Sequence, residues 1–136
     1  MQDFTADEVA ELNRRHGSPL TFDEIEKLVQ ILRGHPYLTR KALYLVSSKR
    51  ITPSELFSRA SEEQGPFGDH LRNHLLRLHN KESLVSGLRI VLKRNQCPDR
   101  DVYFRLRGAG LVREQDNLIV PRNGLYAEYF RKHING

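Results

Sequence analysis

Apolar residues recur at helical spacing along most of the 136-residue chain, and the pattern breaks at a few corners rich in Gly, Pro and Asn. Thr5 with Glu8 three positions on predicts a capped helix start, with Val9 and Leu12 on the apolar side and Gly17-Ser18-Pro19 as the stop. Thr21 and Glu24 repeat that device. Behind them Ile25, Leu28, Val29 and Leu32 form an i, i+3, i+4, i+7 stripe that ends at Gly34. Pro36 suits the first turn of the next helix, whose buried face is Leu38, Ala42, Leu45 and Val46. Thr52-Pro53-Ser54-Glu55 opens a shorter helix over 53–63, broken by Gly65-Pro66.

The second half predicts helices over Asp69–Asn80 and 84–94, a turn at Asn95–Pro98, and a helix from the Asp99 cap to Gly108 with Val102, Tyr103 and Leu106 inward. Two short alternating runs, Leu111–Glu114 and Asn117–Val120, then predict a β-hairpin turning at Gln115-Asp116. A last amphipathic helix, 122–133, closes the pattern with Leu125, Tyr129 and Ile134 on one side. Three helices, a hairpin and a helix from Asp69 onward give the order of a winged helix. Its helix-turn-helix pair would be 84–108 and its wing 111–120. The expected fold is therefore mainly α: a small helical lobe over 1–50, then a winged-helix domain over 51–136 that includes the linking helix 53–63.

Composition narrows this only modestly. With 38% hydrophobic and 29% charged residues the chain reads as soluble and globular. No apolar run approaches the roughly 18 residues of a membrane span, and Met1 opens no secretory leader. A lone cysteine, Cys97, excludes an internal disulfide and suits a reducing compartment, so the expected location is the cytoplasm, away from membranes. Twenty-two Lys and Arg against seventeen Asp and Glu permit an anionic partner without requiring one.

The candidate chemistry is sparse. No Gly-x4-Gly-Lys-Ser/Thr loop occurs, so the chain builds no P-loop site by itself, and no Ser, His and Asp stand in a nucleophile context. His70 and His74 have the i, i+4 spacing of zinc ligands, but HLRNH lacks the metalloprotease glutamate and any cysteine partners; packing and surface histidines are the plainer reading. Cys97, beside Pro98, reads as a structural thiol. Lys93, Arg94, Arg100, Arg105, Arg107 and Arg113 gather on the expected helix-turn-helix and wing base. There Arg100, Arg105 and Arg107 have the reach for phosphates or guanine edges. Asp99 and Asp101 at the same helix start oppose groove insertion. Gly34-His35-Pro36 has two readings: a plain helix stop followed by an N1 proline, or a rigid corner that offers a ring and a close backbone to a ligand.

GHPYLTRKALYLV, ITPSELFSRASEEQGPFGDHLRNHLLRL, FRLRGAGLV and VPRNGLYAEYFRKHI, in this order and spacing, resemble the C-terminal part of the bacterial AAA-like domain family, ATPases of the STAND type. The resemblance runs from Phe4 to Ile134. It implies a helical lid lobe plus a winged helix from a cytoplasmic signalling ATPase, with the P-loop domain upstream as partner and ATP or ADP with Mg bound in the parent protein. It further implies a regulatory part with no catalysis of its own and no cofactor held alone. In that family a Gly-x-Pro corner lies against the nucleotide, which makes Gly34, His35 and Pro36 contact candidates and predicts exposed apolar surface near Pro36. Arg122, after Pro121, stands where related ATPases place a nucleotide-sensing residue, although the histidine of some relatives is absent. DNA binding through Lys93, Arg100, Arg105 and Arg107 is the alternative.

Overall fold

The computed structural model describes residues 3–134. Among them are eight α-helices and one two-stranded antiparallel hairpin, so the chain is mainly helical as its periodicity implies. Contacts within the chain group into two units, Met1–Asp69 and His70–Gly136. The expected lobe boundary is 50/51, whereas helix 53–58 and the segment up to Asp69 group with the first unit.

The first unit contains α1 (Ala6–Arg15), α2 (Phe22–Leu32), α3 (Pro36–Ser47) and α4 (Pro53–Ser58). Thr5, Thr21 and Thr52 each form a full capping box with Glu8, Glu24 and Glu55, which satisfies helix-start N–H groups and contributes about 1 kcal/mol per cap. α1 packs on α2 and α3, and α3 on α4. Leu28, Leu32, Leu38, Leu43 and Leu56 are fully buried. Asn13 is buried too, and it closes the α1–α2 loop: its Nδ2 donates to the Leu20 carbonyl at 3.0 Å while the Leu20 N–H donates to its Oδ1 at 3.1 Å. The helix expected over 53–63 is shorter. It stops at Ser58, because Arg59 leaves helical geometry and its carbonyl takes the Glu62 N–H, while its guanidinium bonds Glu62 and the Gln64 carbonyl.

α5 (Gly68–Leu78) begins two residues before the second unit, which continues with α6 (Glu82–Arg94), α7 (Arg100–Gly108), β1 (Val112–Gln115), β2 (Leu118–Pro121) and α8 (Gly124–Ile134). α6 packs on α7, α8 and β2. The close α6–α7 approach needs a glycine at position 87, where a Cβ would overlap Val102 Cγ1. Asn95 ends α6 in left-handed geometry and accepts the Ile119 N–H at 3.0 Å, tying the hairpin to the helix. Val112 pairs with Pro121 and Gln115 with Leu118. The hairpin therefore turns at Asp116-Asn117, one residue later than the hydrophobic alternation suggests. Both residues have positive φ, 51° and 68°, which two-residue hairpin loops demand and Asp and Asn tolerate. α8 starts at Gly124 instead of 122. Asn123 supplies its cap, with Oδ1 accepting the Tyr126 N–H at 2.9 Å. No helix among the described residues is long and apolar enough to cross a membrane.

Candidate functional site

The Gly-His-Pro corner is built by two successive left-handed residues. Arg33 caps α2 at φ 49°, ψ 39°, and Gly34 follows at φ 71°. Gly34 is buried under the chain's own N-terminal segment. The Phe4 N–H donates to the Gly34 carbonyl at 2.7 Å, and a Cβ at Gly34 would collide with the Phe4 carbonyl oxygen. His35 is the N-cap of α3: its Nδ1 accepts the Leu38 N–H at 3.3 Å and its carbonyl the Thr39 N–H at 2.9 Å. Pro36 occupies the first helical position, where no N–H is needed. All three corner residues are buried, and the exposed apolar surface adjoining Pro36 is Tyr37, 54% exposed. One turn on, Thr39 Oγ1 is buried with no hydrogen-bond partner.

Arg122 lies in the second unit between β2 and α8. Its N–H donates to the Leu111 carbonyl at 2.9 Å, its own carbonyl accepts Arg113 Nε at 3.2 Å, and its guanidinium passes 2.9 Å from where a Gly110 Cβ would sit. It belongs to a polar cluster that the sequence reading did not assemble. His70 Nε2 and His74 Nε2 both point at the Tyr126 hydroxyl, at 2.6 and 3.2 Å. The phenol has one proton, so one imidazole accepts it while the other donates its own Nε2–H to the phenol oxygen. Burial lowers the His74 pKa to about 4, with the Arg77 and Arg122 charges adding to the effect, so His74 is neutral near pH 7. Those two cations also disfavour a divalent metal between the histidines. Among the described residues no three His, Cys, Asp or Glu side chains gather as metal ligands.

The basic candidates occupy one end of α6 and the length of α7. Lys93 and Arg94 are exposed in the last turn of α6; Arg100, Arg105 and Arg107 are exposed along α7 with Phe104 between them, 53% exposed. Arg105 Nε pairs with Asp101 at 3.2 Å, and Asp99 is spent capping α7 through the Asp101 and Val102 N–H groups. Arg113 is turned back onto the Arg122 carbonyl. Cys97 lies close to the Asp99 carbonyl, and burial first, Asp99 second, pushes its pKa up, the opposite of an activated thiol.

The structure thus brings Gly34, His35 and Pro36 into one corner of the first unit and places Arg122 with His70, His74 and Tyr126 in the second. Tyr126 lies more than 50 residues from either histidine, and no local spacing signals that contact. A family model described as AAA-like domain matches residues 1–132, which points to an ATPase-related protein. No curated protein and no solved structure matches the chain.

Proposed function

Because the chain belongs to the AAA-like domain family, we propose that it is the lid and winged-helix part of a bacterial STAND-type signalling ATPase, a regulatory module that performs no hydrolysis itself. The observation that carries this reading is the family match across 1–132. The corner is rigid in a way that suits this reading: a left-handed pair precedes Pro36, His35 caps the helix beside it, and Tyr37 next to the buried proline is exposed. The α5–α6–α7–hairpin–α8 order supports the winged helix, and Arg122, at the junction of hairpin and last helix, is its nucleotide-sensing candidate. In the parent protein ATP or ADP with Mg sits in the P-loop domain. The first unit closes over it, and the second relays the bound state by rigid-body rotation.

The test is the reading frame 5′ of the Met1 codon. An open frame leading to a Gly-x4-Gly-Lys-Ser/Thr loop is expected. Pro36→Ala in that longer protein then weakens ADP binding at least fivefold, while Pro19→Ala leaves it unchanged. A true translation start at Met1 with no upstream frame overturns the reading.

The charge distribution favours DNA binding by the second unit as the runner-up. Residues 70–136 carry thirteen Lys and Arg against six Asp and Glu. Arg100 and Arg107 are exposed, whereas Arg105 is engaged by Asp101. A duplex titration at several salt concentrations decides it. DNA binding predicts affinity that falls steeply with salt and is abolished by Arg105→Glu or Arg107→Glu.

A further inference from the structure

The first unit segregates its charge. Up to Asp69 it holds nine Lys and Arg against eleven Asp and Glu, yet residues 33–50 contain five cations, Arg33, Arg40, Lys41, Lys49 and Arg50, and no carboxylate. Those residues include all of α3. On that helix Tyr37, Lys41 and Tyr44 follow at i, i+4, i+7, which sets the two tyrosines on one face about 10 Å apart along the axis. Tyr37 is 54% and Tyr44 49% exposed. Lys41 Nζ lies 5.9 Å from the Tyr37 ring centre, and the Arg50 guanidinium 5.4 Å from that of Tyr44. Each ring therefore holds a cation in place, and the cation keeps its charge toward solvent.

From this placement we propose that the outer face of α3 is a docking surface for an acidic protein segment, with Tyr37 and Tyr44 as apolar anchors and Lys41 and Arg50 as carboxylate partners. Tyr and Arg are the side chains that protein interfaces favour: large, amphipathic and already restrained here by each other. The neighbourhood selects protein over nucleic acid. Asp7, Glu8 and Glu11 of α1 line a groove with Arg40 beside α3. The unit as a whole carries more carboxylates than cations. A partner helix of about 10 Å can follow the cationic strip alone. The proposal does not rest on the nucleotide reading: Lys41, Tyr44 and Arg50 lie outside the corner, and only Tyr37 adjoins it.

The probe is a fluorescein-labelled 18-residue helical peptide of Glu, Leu and Ala, titrated into the chain at moderate salt, with circular dichroism confirming that each variant is folded. Lys41→Glu with Arg50→Glu is expected to weaken binding at least tenfold, and Tyr37→Ser with Tyr44→Ser, which leaves the charge unchanged, at least fivefold. Arg100→Glu with Arg107→Glu, in the other unit, leaves binding within twofold. Absence of binding overturns the proposal, as does insensitivity to the tyrosine changes, which marks plain charge attraction. An equal loss from the Arg100 and Arg107 pair assigns the peptide to the second unit and overturns it too. Displacement of the peptide by oligo(dT), with oligonucleotide binding itself lost on Lys41→Glu and Arg50→Glu, makes the face a nucleic-acid surface instead.

Discussion

Replacing Gly34 with alanine tests how the corner is built. Two effects add. An L-residue at φ 71° enters left-handed space at about 1–2 kcal/mol. The new methyl also meets the Phe4 carbonyl oxygen, which is backbone and has no rotamer to change. Relief requires the 3–5 segment to retreat, which breaks the Phe4 N–H to Gly34 carbonyl bond, worth about 1 kcal/mol, and disturbs the packing it holds. The expected loss is about 3 kcal/mol. Gly17 provides the control: its φ is 86°, but a Cβ there has nothing within 4 Å, so Gly17→Ala carries the backbone term alone, about 1 kcal/mol. Gly108, at the end of α7 with equally open space, should gain roughly 0.5–1 kcal/mol on becoming alanine. Urea unfolding followed by far-UV circular dichroism ranks the three, with unchanged slopes licensing the conversion of midpoints to free energies. If Gly34→Ala falls within 1 kcal/mol of Gly17→Ala, the Phe4 contact does not govern the corner and the argument fails.

Other expectations concern single groups. Asn13→Ala removes both bonds to the Leu20 backbone and leaves a buried N–H and carbonyl unsatisfied, so a loss of about 2–3 kcal/mol is expected in the same urea titration. His74 has its folded-state pKa lowered from 6.5 to about 4, so the unfolded chain binds the proton more readily between those values. Stability from this group is complete above pH 6.5 and falls as pH drops toward 4. The full difference is at most about 3 kcal/mol, and His74→Gln, which can still reach the Tyr126 hydroxyl, should flatten that part of the profile; an unchanged slope rejects the assignment. Thr39→Val swaps an unpartnered buried hydroxyl for a methyl of similar shape and should leave stability unchanged or raise it by up to about 1 kcal/mol, whereas a loss above 1 kcal/mol shows that the hydroxyl is engaged.

What the sequence made legible is local. The capping boxes at Thr5 and Thr21, the N1 proline and the buried Leu28, Leu32, Leu38 and Leu106 all follow from signals within one or two helix turns. Errors occur where a competing local bond ends an element early. Gly65-Pro66 is a strong breaker, but Arg59 had already turned the chain; Gln115-Asp116 looked like the hairpin tip, but the positive-φ pair is Asp116-Asn117. What was illegible is nonlocal. Apolar spacing marks Leu43 only weakly, although it is fully buried, because α3 is covered on more than one side. The Phe4–Gly34 bond spans 30 residues, and the His70–Tyr126–His74 cluster joins two helices whose periodicities carry no information about each other. Tyr37, Lys41, Tyr44 and Arg50 are visible as residues, but only the ring–cation placement on an exposed face makes them a surface.

The corner separates evidence for folding from evidence for binding. A glycine at position 34 invites a ligand explanation, since it lets a backbone approach closely. The close approach is already made, by Phe4, so Gly34 would be required even if the chain never met a nucleotide. His35 is likewise spoken for as a cap, its Nδ1 bonded to the Leu38 N–H. Pro36 is buried as well, so replacing it with alanine removes packed ring atoms in addition to the fixed φ, and a stability loss of about 1–2 kcal/mol is expected. All three corner residues therefore have a folding role, and the proposed binding role of position 36 has to show as an affinity change beyond that role. If the proposed P-loop domain precedes this chain, a nucleotide-affinity change for Pro36→Ala larger than its stability loss explains is a binding effect, while any loss for Gly34→Ala is folding seen at a distance.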